Sequence, residues 1–252
     1  DTEKDMETAQ NMARSGSRDN MVDKIKKYRV AVLRGGPSSE REISLLSGES
    51  VIESLALKGF DVVDLIVPEV KDRSYLKSWV VNALKSKRID ICFIALHGWF
   101  GEDGLLQEIL DEAGCPYTGS SALSSSMAMD KITSKTIFQK HAIPTPRFKV
   151  VEDLSEIDFS GLNFPLVVKP SAQGSSLGVF KAETIDDLKL SVQESIKYNG
   201  KVLIEEFISG SEITVGILDS KPLPVIEIIT PNSFYNYTAK YTNGQSLSLI
   251  HI

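Results

Sequence analysis

Apolar and polar positions follow two rhythms along this chain, and the switches between them outline its elements. The β-branched run YRVAVL from Tyr28 stops at Gly35-Gly36, which predicts a strand running into a loop. Ser39 stands three residues before Glu42, the spacing of a capping box, and Ile43, Leu46, Ile52 and Leu55 follow at helical intervals as far as Gly59. A strand at Asp61–Val67, a helix around Leu76–Leu84 and a strand at Ile89–Leu96 continue the alternation. Strand and helix in strict succession predict a parallel sheet with helices on both faces, a Rossmann-like α/β domain. Ligands of such sheets sit beyond the carboxyl ends of the strands, where the loops Gly35–Glu42 and His97–Gly104 fall.

The rhythm then changes. A helical region at Ala122–His141 ends before Pro144 and Pro146, and strands are expected at Arg147–Val151, Phe164–Lys169 and Gly178–Lys181. A helix at Thr184–Tyr198 and a strand at Lys201–Glu206 complete a small α+β domain. After Gly210, ITVGILDSKPLPVIEII reads as two strand-like runs around a turn at Ser220, opening a third unit. Residues 1–27 are polar and without period, and are read as a leader outside the fold. The division expected is therefore 28–121, 122–208 and 209–252.

Composition narrows the function classes. With 28 Lys and Arg against 34 Asp and Glu, a formal charge of −6, the chain lacks the basic excess that a nucleic-acid backbone selects. Apolar runs such as ICFIAL at Ile91–Leu96 fall far short of the ~18 residues that span a bilayer. The opening DTEKDMETAQ lacks the apolar core of a signal peptide, so a cytoplasmic protein without nucleic-acid or membrane partners is expected. Cys92 and Cys115, with no CxxC spacing, read as buried thiols in a reducing compartment.

The candidate chemistry begins at Leu166–Gly178, LVVKPSAQGSSLG. A buried strand would deliver Lys169 to a fixed place, with Pro170 stopping the ladder. Gly174, Ser175, Ser176 and Gly178 then offer close backbone approach and hydroxyl donors to an anion. A plain hairpin turn beside an exposed lysine is the alternative, because GxxxxGK[ST] is absent. In KVLIEEFISGSE, Lys201–Glu212, a strand runs into Glu205 and Glu206, apolar Phe207 and Ile208, and Glu212: an apolar slot for a base and a carboxylate for a ribose, or an acidic strand end. Lys131, opening a helix, reads alone as a solvated lysine.

Together, MDK, VKPSAQGSSLG and VLIEEFISGSE resemble the ATP-grasp fold. GGPSSEREISLLSG, ALHGWFGEDGLLQ, PYTGSSALSSSMAMDK and FYNYTAKY make the likeness specific to the D-alanine–D-alanine ligase family, from Val30 to about Tyr241. The resemblance implies a substrate-binding N-terminal α/β domain, a central α+β ATP-grasp domain and the start of a C-terminal one, with ATP held between the last two. It implies that Lys131, Lys169 and Lys240 bind ATP, that Ser175 and Ser176 close over its γ-phosphate, that Glu205, Phe207 and Ile208 form the adenine slot, and that Glu212 holds the ribose. Glu40 would meet the ammonium of the first D-alanine. His97 would stand near the reacting carboxylate, and Ser175 and Tyr241 would complete a hydrogen-bonded link to Glu40. The implied reaction joins two D-alanines through an acylphosphate for peptidoglycan precursor synthesis, and the family implies a homodimer. Glu102 and Asp103 read as turn and helix-cap residues. Arg41 serves either an anion or the helix end, and Tyr235 and Tyr237 fit core packing.

Two departures stand out. Asn236 and Thr238 replace residues that are usually acidic in the family's loop. The family's ligands for Mg²⁺ or Mn²⁺, an Asp and a Glu-x-Asn, lie downstream of that loop, whereas Thr242–Ile252 contains no carboxylate. The expectation drawn from this is that the 252-residue chain does not turn over. Rival readings are a D-alanyl-D-lactate ligase, against which Tyr241 argues, another ATP-grasp carboxylate–amine ligase, and a non-catalytic nucleotide-binding module.

Overall fold

Parallel pairing organises the first part of the chain. The computed structural model describes residues 27–218, 220–229 and 247–250. In it β1 (Arg29–Gly35) lies between β2 (Asp61–Val67) and β3 (Ile91–Ile94), parallel to both, in the order β2-β1-β3. A central strand has neighbours on both edges, and the side chains of Val30–Leu33 are all buried. The crossovers between parallel strands are α1 (Arg41–Leu57) and α2 (Arg73–Lys87), and α3 (Leu105–Glu112) follows β3. Leu33, Leu65, Val67, Leu76, Val80, Phe100, Leu106 and Leu110 form one core.

Helix α1 departs from expectation in two ways. Its buried residues are Ser44 and Gly48, while Leu46 and Leu57 are exposed. The cause is close approach to β1: a Cβ on Gly48 would lie 2.5 Å from Cδ of Arg34. Ser44 Oγ accepts from the Gly35 N–H (2.8 Å) and donates to the Ala95 carbonyl (2.7 Å), which ties the helix to two strand ends. The Ser39–Glu42 capping box does not form either. The N-cap is Glu40 and has no side-chain cap bond, so Ser39 and Glu42 each stand one position too early.

The chain divides into two compact units, Asp1–Ser126 and Met127–Ile252, the division falling inside α4 (Ala122–Met129). The helical region expected as continuous to His141 is broken at Asp130, whose carboxylate accepts from the Ile132 N–H and caps α5 (Lys131–Lys140). An antiparallel sheet follows, made of β4 (Phe148–Val151), β5 (Leu166–Pro170), β6 (Phe180–Ala182) and β7 (Val202–Glu206), in the order β4-β7-β5-β6. Pro170 stops the ladder as expected: it stands opposite Val202 as the last residue of β5, where a missing donor is tolerated. Helix α6 (Ile185–Asn199) starts at a complete capping box, Thr184 with Asp187, and ends at Gly200 in the left-handed region. Val151, Leu166, Val168, Leu188, Val192, Val202 and Ile204 form the second core.

Beyond Gly210 the strands are β8 (Glu212–Thr214), β9 (Ile217–Leu218), β10 (Lys221–Pro222), β11 (Ile226–Ile229) and β12 (Leu247–Ile250). β9 and β10 pair across the Ser220 turn, and β12-β11-β8 form an antiparallel sheet. Among the described residues no helix is long and apolar enough to cross a membrane.

Candidate active site

In the first unit, the loops after β1 and β3 meet. Ser38 Oγ donates to the His97 carbonyl (2.7 Å) and accepts from the Glu40 N–H (3.1 Å). Glu40 is 8% exposed, and a Cβ on Gly98 would lie 2.7 Å from its Oε2, so its carboxylate packs on the backbone of the His97 loop. Gly98 has φ +64°, which favours glycine at this close approach.

His97 is held from both sides. Its Nε2 lies 3.1 Å from Ser47 Oγ, and its Nδ1 lies 3.6 Å from Glu102 Oε1. The pairing with Glu102, joined by the charges of Glu102 and Glu40, raises its pKa above the ordinary imidazole value against the opposing effect of burial. For Glu102, burial pushes the carboxyl up, but the His97 pairing and the Gly98 N–H (2.9 Å) outweigh it and hold the group below the usual range. Negative Glu40 and a His97 biased toward its cation therefore share one pair of loops, a charge pattern complementary to a zwitterionic amino acid. Arg41 donates to the carbonyls of Gly36 (2.8 Å) and Val67 (2.9 Å), a tie between strand ends.

In the second unit, the loop between β5 and β6 carries the glycines and serines. Lys131, the first residue of α5, is fastened to it: its N–H donates to Ser171 O (2.9 Å) and its Nζ to Gln173 O (2.6 Å). Ser175 and Ser176 have φ of 49° and 59°, left-handed values that cost a non-glycine residue about 1–2 kcal/mol each. Both serines therefore hold a conformation that the surrounding loop has to sustain. Lys169 lies near the end of β5, its Nζ 2.5 Å from Glu205 Oε2 on the neighbouring strand. Glu205 is 3% exposed, with Lys135 Nζ 3.0 Å from its Oε1.

The chain as a whole is similar to known proteins. The family model "D-ala D-ala ligase C-terminus" matches residues 120–252, and "D-ala D-ala ligase N-terminus" matches residues 71–120. The chain belongs to the D-alanine–D-alanine ligase family. Such a ligase from Syntrophotalea carbinolica is 39% identical over 226 residues, covering 90% of this chain and 71% of its own. The crystal structure of a Bacillus anthracis D-alanine–D-alanine ligase complexed with ATP aligns at TM-score 0.73 and 32% identity, over 89% of this chain and 71% of that one. The VanG D-Ala:D-Ser ligase of Enterococcus faecalis aligns at TM-score 0.68 and 28% identity, over 89% and 76%. The family consists of ATP-dependent ligases that join D-alanine to D-alanine in peptidoglycan precursor synthesis, on the ATP-grasp fold.

Within this family frame, Glu40 and His97 lie together in the first unit, and Lys131, Lys169, Ser175, Ser176 and Glu205 lie in the second. Phe207 sits under the Lys181 ammonium, which is 4.8 Å from its ring centroid; Ile208 is exposed, and Glu212 is an exposed residue of β8. Lys240 and Tyr241, with Tyr235, Asn236, Tyr237 and Thr238, lie outside the described residues. Asp103 accepts from the Phe100 and Leu105 N–H groups at 3.1 Å as a turn residue just before the N-cap of α3, which is Gly104. Glu102 holds the Gly98 N–H as a turn residue but also partners His97, which its spacing did not reveal. Lys135 was missed as well. One helical turn beyond Lys131, it carries no sequence sign of being buried. Among the described residues no three His, Cys, Asp or Glu side chains gather as ligands for a metal. The oxygen donors that Mg²⁺ needs are not assembled among those residues.

Proposed function

We propose that Glu40 and His97 hold the first D-alanine as a zwitterion, while Lys131, Lys169 and the Ser175–Ser176 loop grip the phosphates of ATP. The paired charges of Glu40 and His97 carry this reading. A fixed carboxylate suits the ammonium of the amino acid, and an imidazole biased toward its cation by Glu102 suits the carboxylate. That carboxylate then attacks the γ-phosphate, breaking the bond to ADP and forming an acylphosphate. The neutral amine of a second D-alanine attacks the acyl carbon and expels phosphate. Two lysines beside the phosphate loop offset charge as it develops on the transferred group, which is where most catalysis of phosphoryl transfer resides. A divalent cation on the phosphates would add to that neutralisation.

Glu205, Phe207 and Ile208 form the proposed adenine slot, Glu212 the ribose contact and Lys240 a further ATP contact, with Ser175 and Tyr241 as further proposed catalytic residues. Division into 28–121, 122–208 and 209–252, a homodimer and a cytoplasmic location complete the proposal. D-alanine is proposed for both substrates. Calorimetric titration tests the amino-acid site: Glu40→Gln should weaken D-alanine by on the order of tenfold or more while ATP binds as before. Unchanged D-alanine affinity would sink the assignment.

A further inference from the structure

The mechanism leaves one buried charge unused. Lys135 is 6% exposed, and its ammonium makes three contacts: it donates to Thr145 Oγ1 (2.7 Å), stands 3.0 Å from Glu205 Oε1, and lies 4.8 Å from the Phe148 ring centroid. Glu205 Oε1 accepts no hydrogen bond despite that proximity, so the pairing with Lys135 is one of charge, with Thr145 fixing the ammonium. The other oxygen, Oε2, meets Lys169 at 2.5 Å. One carboxylate, 3% exposed, is thus bracketed by two lysines. They differ in access: the Lys169 side chain is 24% exposed and borders the phosphate loop, whereas that of Lys135 is 7% exposed.

This asymmetry matters once phosphates arrive. A Lys169 that turns to a phosphate leaves Glu205 behind, and a buried carboxylate stripped of its cation is strongly unfavourable. We infer that Lys135 is a positioning residue, the resident counter-ion of Glu205, whose presence lets Lys169 exchange that carboxylate for the phosphates of ATP. The inference rests on the reading of Lys169 as a phosphate ligand. Without Lys135, Lys169 would be the sole cation paired with Glu205 among the described residues and would be retained there. Without the charge on Glu205, Lys135 would have nothing to balance.

The test is a thermodynamic cycle on the full chain, with ATP affinity measured by calorimetry for the wild type, Lys135→Met, Glu205→Gln and the double variant, plus Lys169→Met and Lys135→Arg. Lys135→Met should weaken ATP by on the order of tenfold to a hundredfold, and Lys135→Arg, which keeps the charge, by no more than about threefold. In the Glu205→Gln background, Lys135→Met should cost less than about twofold. An equal loss in both backgrounds would mean a merely structural lysine and would overturn the inference. Lys169→Met separates the two claims. If it leaves ATP affinity intact, the phosphate reading itself fails; if it weakens ATP while Lys135→Met does not, only the counter-ion role fails. Should Lys135→Met not fold, the lysine Nζ resonances of the wild type decide. ATP should shift Lys169 and leave Lys135 in place, and the reverse pattern would refute the exchange.

Discussion

Gly98→Ala probes the contact on which the amino-acid site depends. The new Cβ would stand 2.7 Å from Glu40 Oε2 and 3.3 Å from Ser38 Cβ. An unstrained C···O contact is about 3.3–3.6 Å, so the carboxylate must retreat by roughly 0.6–0.9 Å. Displacements near 1 Å can cost about a hundredfold in a positioned site, so D-alanine affinity should fall by on the order of tenfold to a hundredfold. Stability should change less. Alanine at φ +64° costs about 1–2 kcal/mol, and restricting the unfolded chain returns about 0.4–1 kcal/mol. Gly59→Ala supplies the control: φ is +80°, and nothing lies within 4 Å of the added Cβ. Urea unfolding should give both variants similar losses, of the order of 1 kcal/mol, while calorimetry should find D-alanine weakened only by Gly98→Ala. If the two variants bind D-alanine alike, the Glu40 carboxylate is not held where the account needs it.

Other tests follow from the same geometry. His97 is raised and Glu102 lowered. A group raised on folding stabilises in full below its unfolded value, ~6.5 for His, and loses that as pH climbs through the folded value. A lowered carboxyl stabilises in full above ~4.3 and loses that as pH falls through its depressed value. The pair therefore contributes most between ~4.3 and ~6.5, and by less than about 1 kcal/mol because both side chains are partly exposed. Glu102→Gln should move the alkaline limb of D-alanine binding to lower pH, read by calorimetry across pH; an unmoved limb would remove Glu102 from the site. Gly178→Ala should destabilise by about 2–4 kcal/mol in urea unfolding. It combines φ +68° with a Cβ 2.5 Å from Tyr198 Cε2 and 2.8 Å from Pro170 Cγ, and a loss under about 0.5 kcal/mol would contradict that packing.

The fold was largely legible where period and punctuation agreed. β2 appears at Asp61–Val67 as expected, and Thr184 and Gly200 bound α6 by local chemistry alone. Legibility failed where a tertiary contact set the outcome. The apolar residues of α1 suggested its buried face, but hydrogen bonds to Ser44 and the passage of Arg34 drew Ser44 and Gly48 against the sheet instead. The break at Asp130 shows as a cap, yet the helical pattern runs through it. The site divides in the same way. Glu40, His97, Lys131 and Lys169 stand in motifs that resemble those of the ligase family, and the resemblance is what marks them as candidates. Glu102 reaches His97 only because their shared loop folds back on itself, and Lys135 meets a Glu205 seventy positions away, so spacing alone announces neither role.

The central claim is ATP-driven coupling of D-alanine, and product stoichiometry tests it most directly. In the protein as its organism makes it, ATP and D-alanine should yield ADP, phosphate and D-alanyl-D-alanine in equal amounts, with no ADP formed when D-alanine is withheld. Formation of AMP, release of ADP without D-alanine, or a product lacking the second D-alanine would contradict the account.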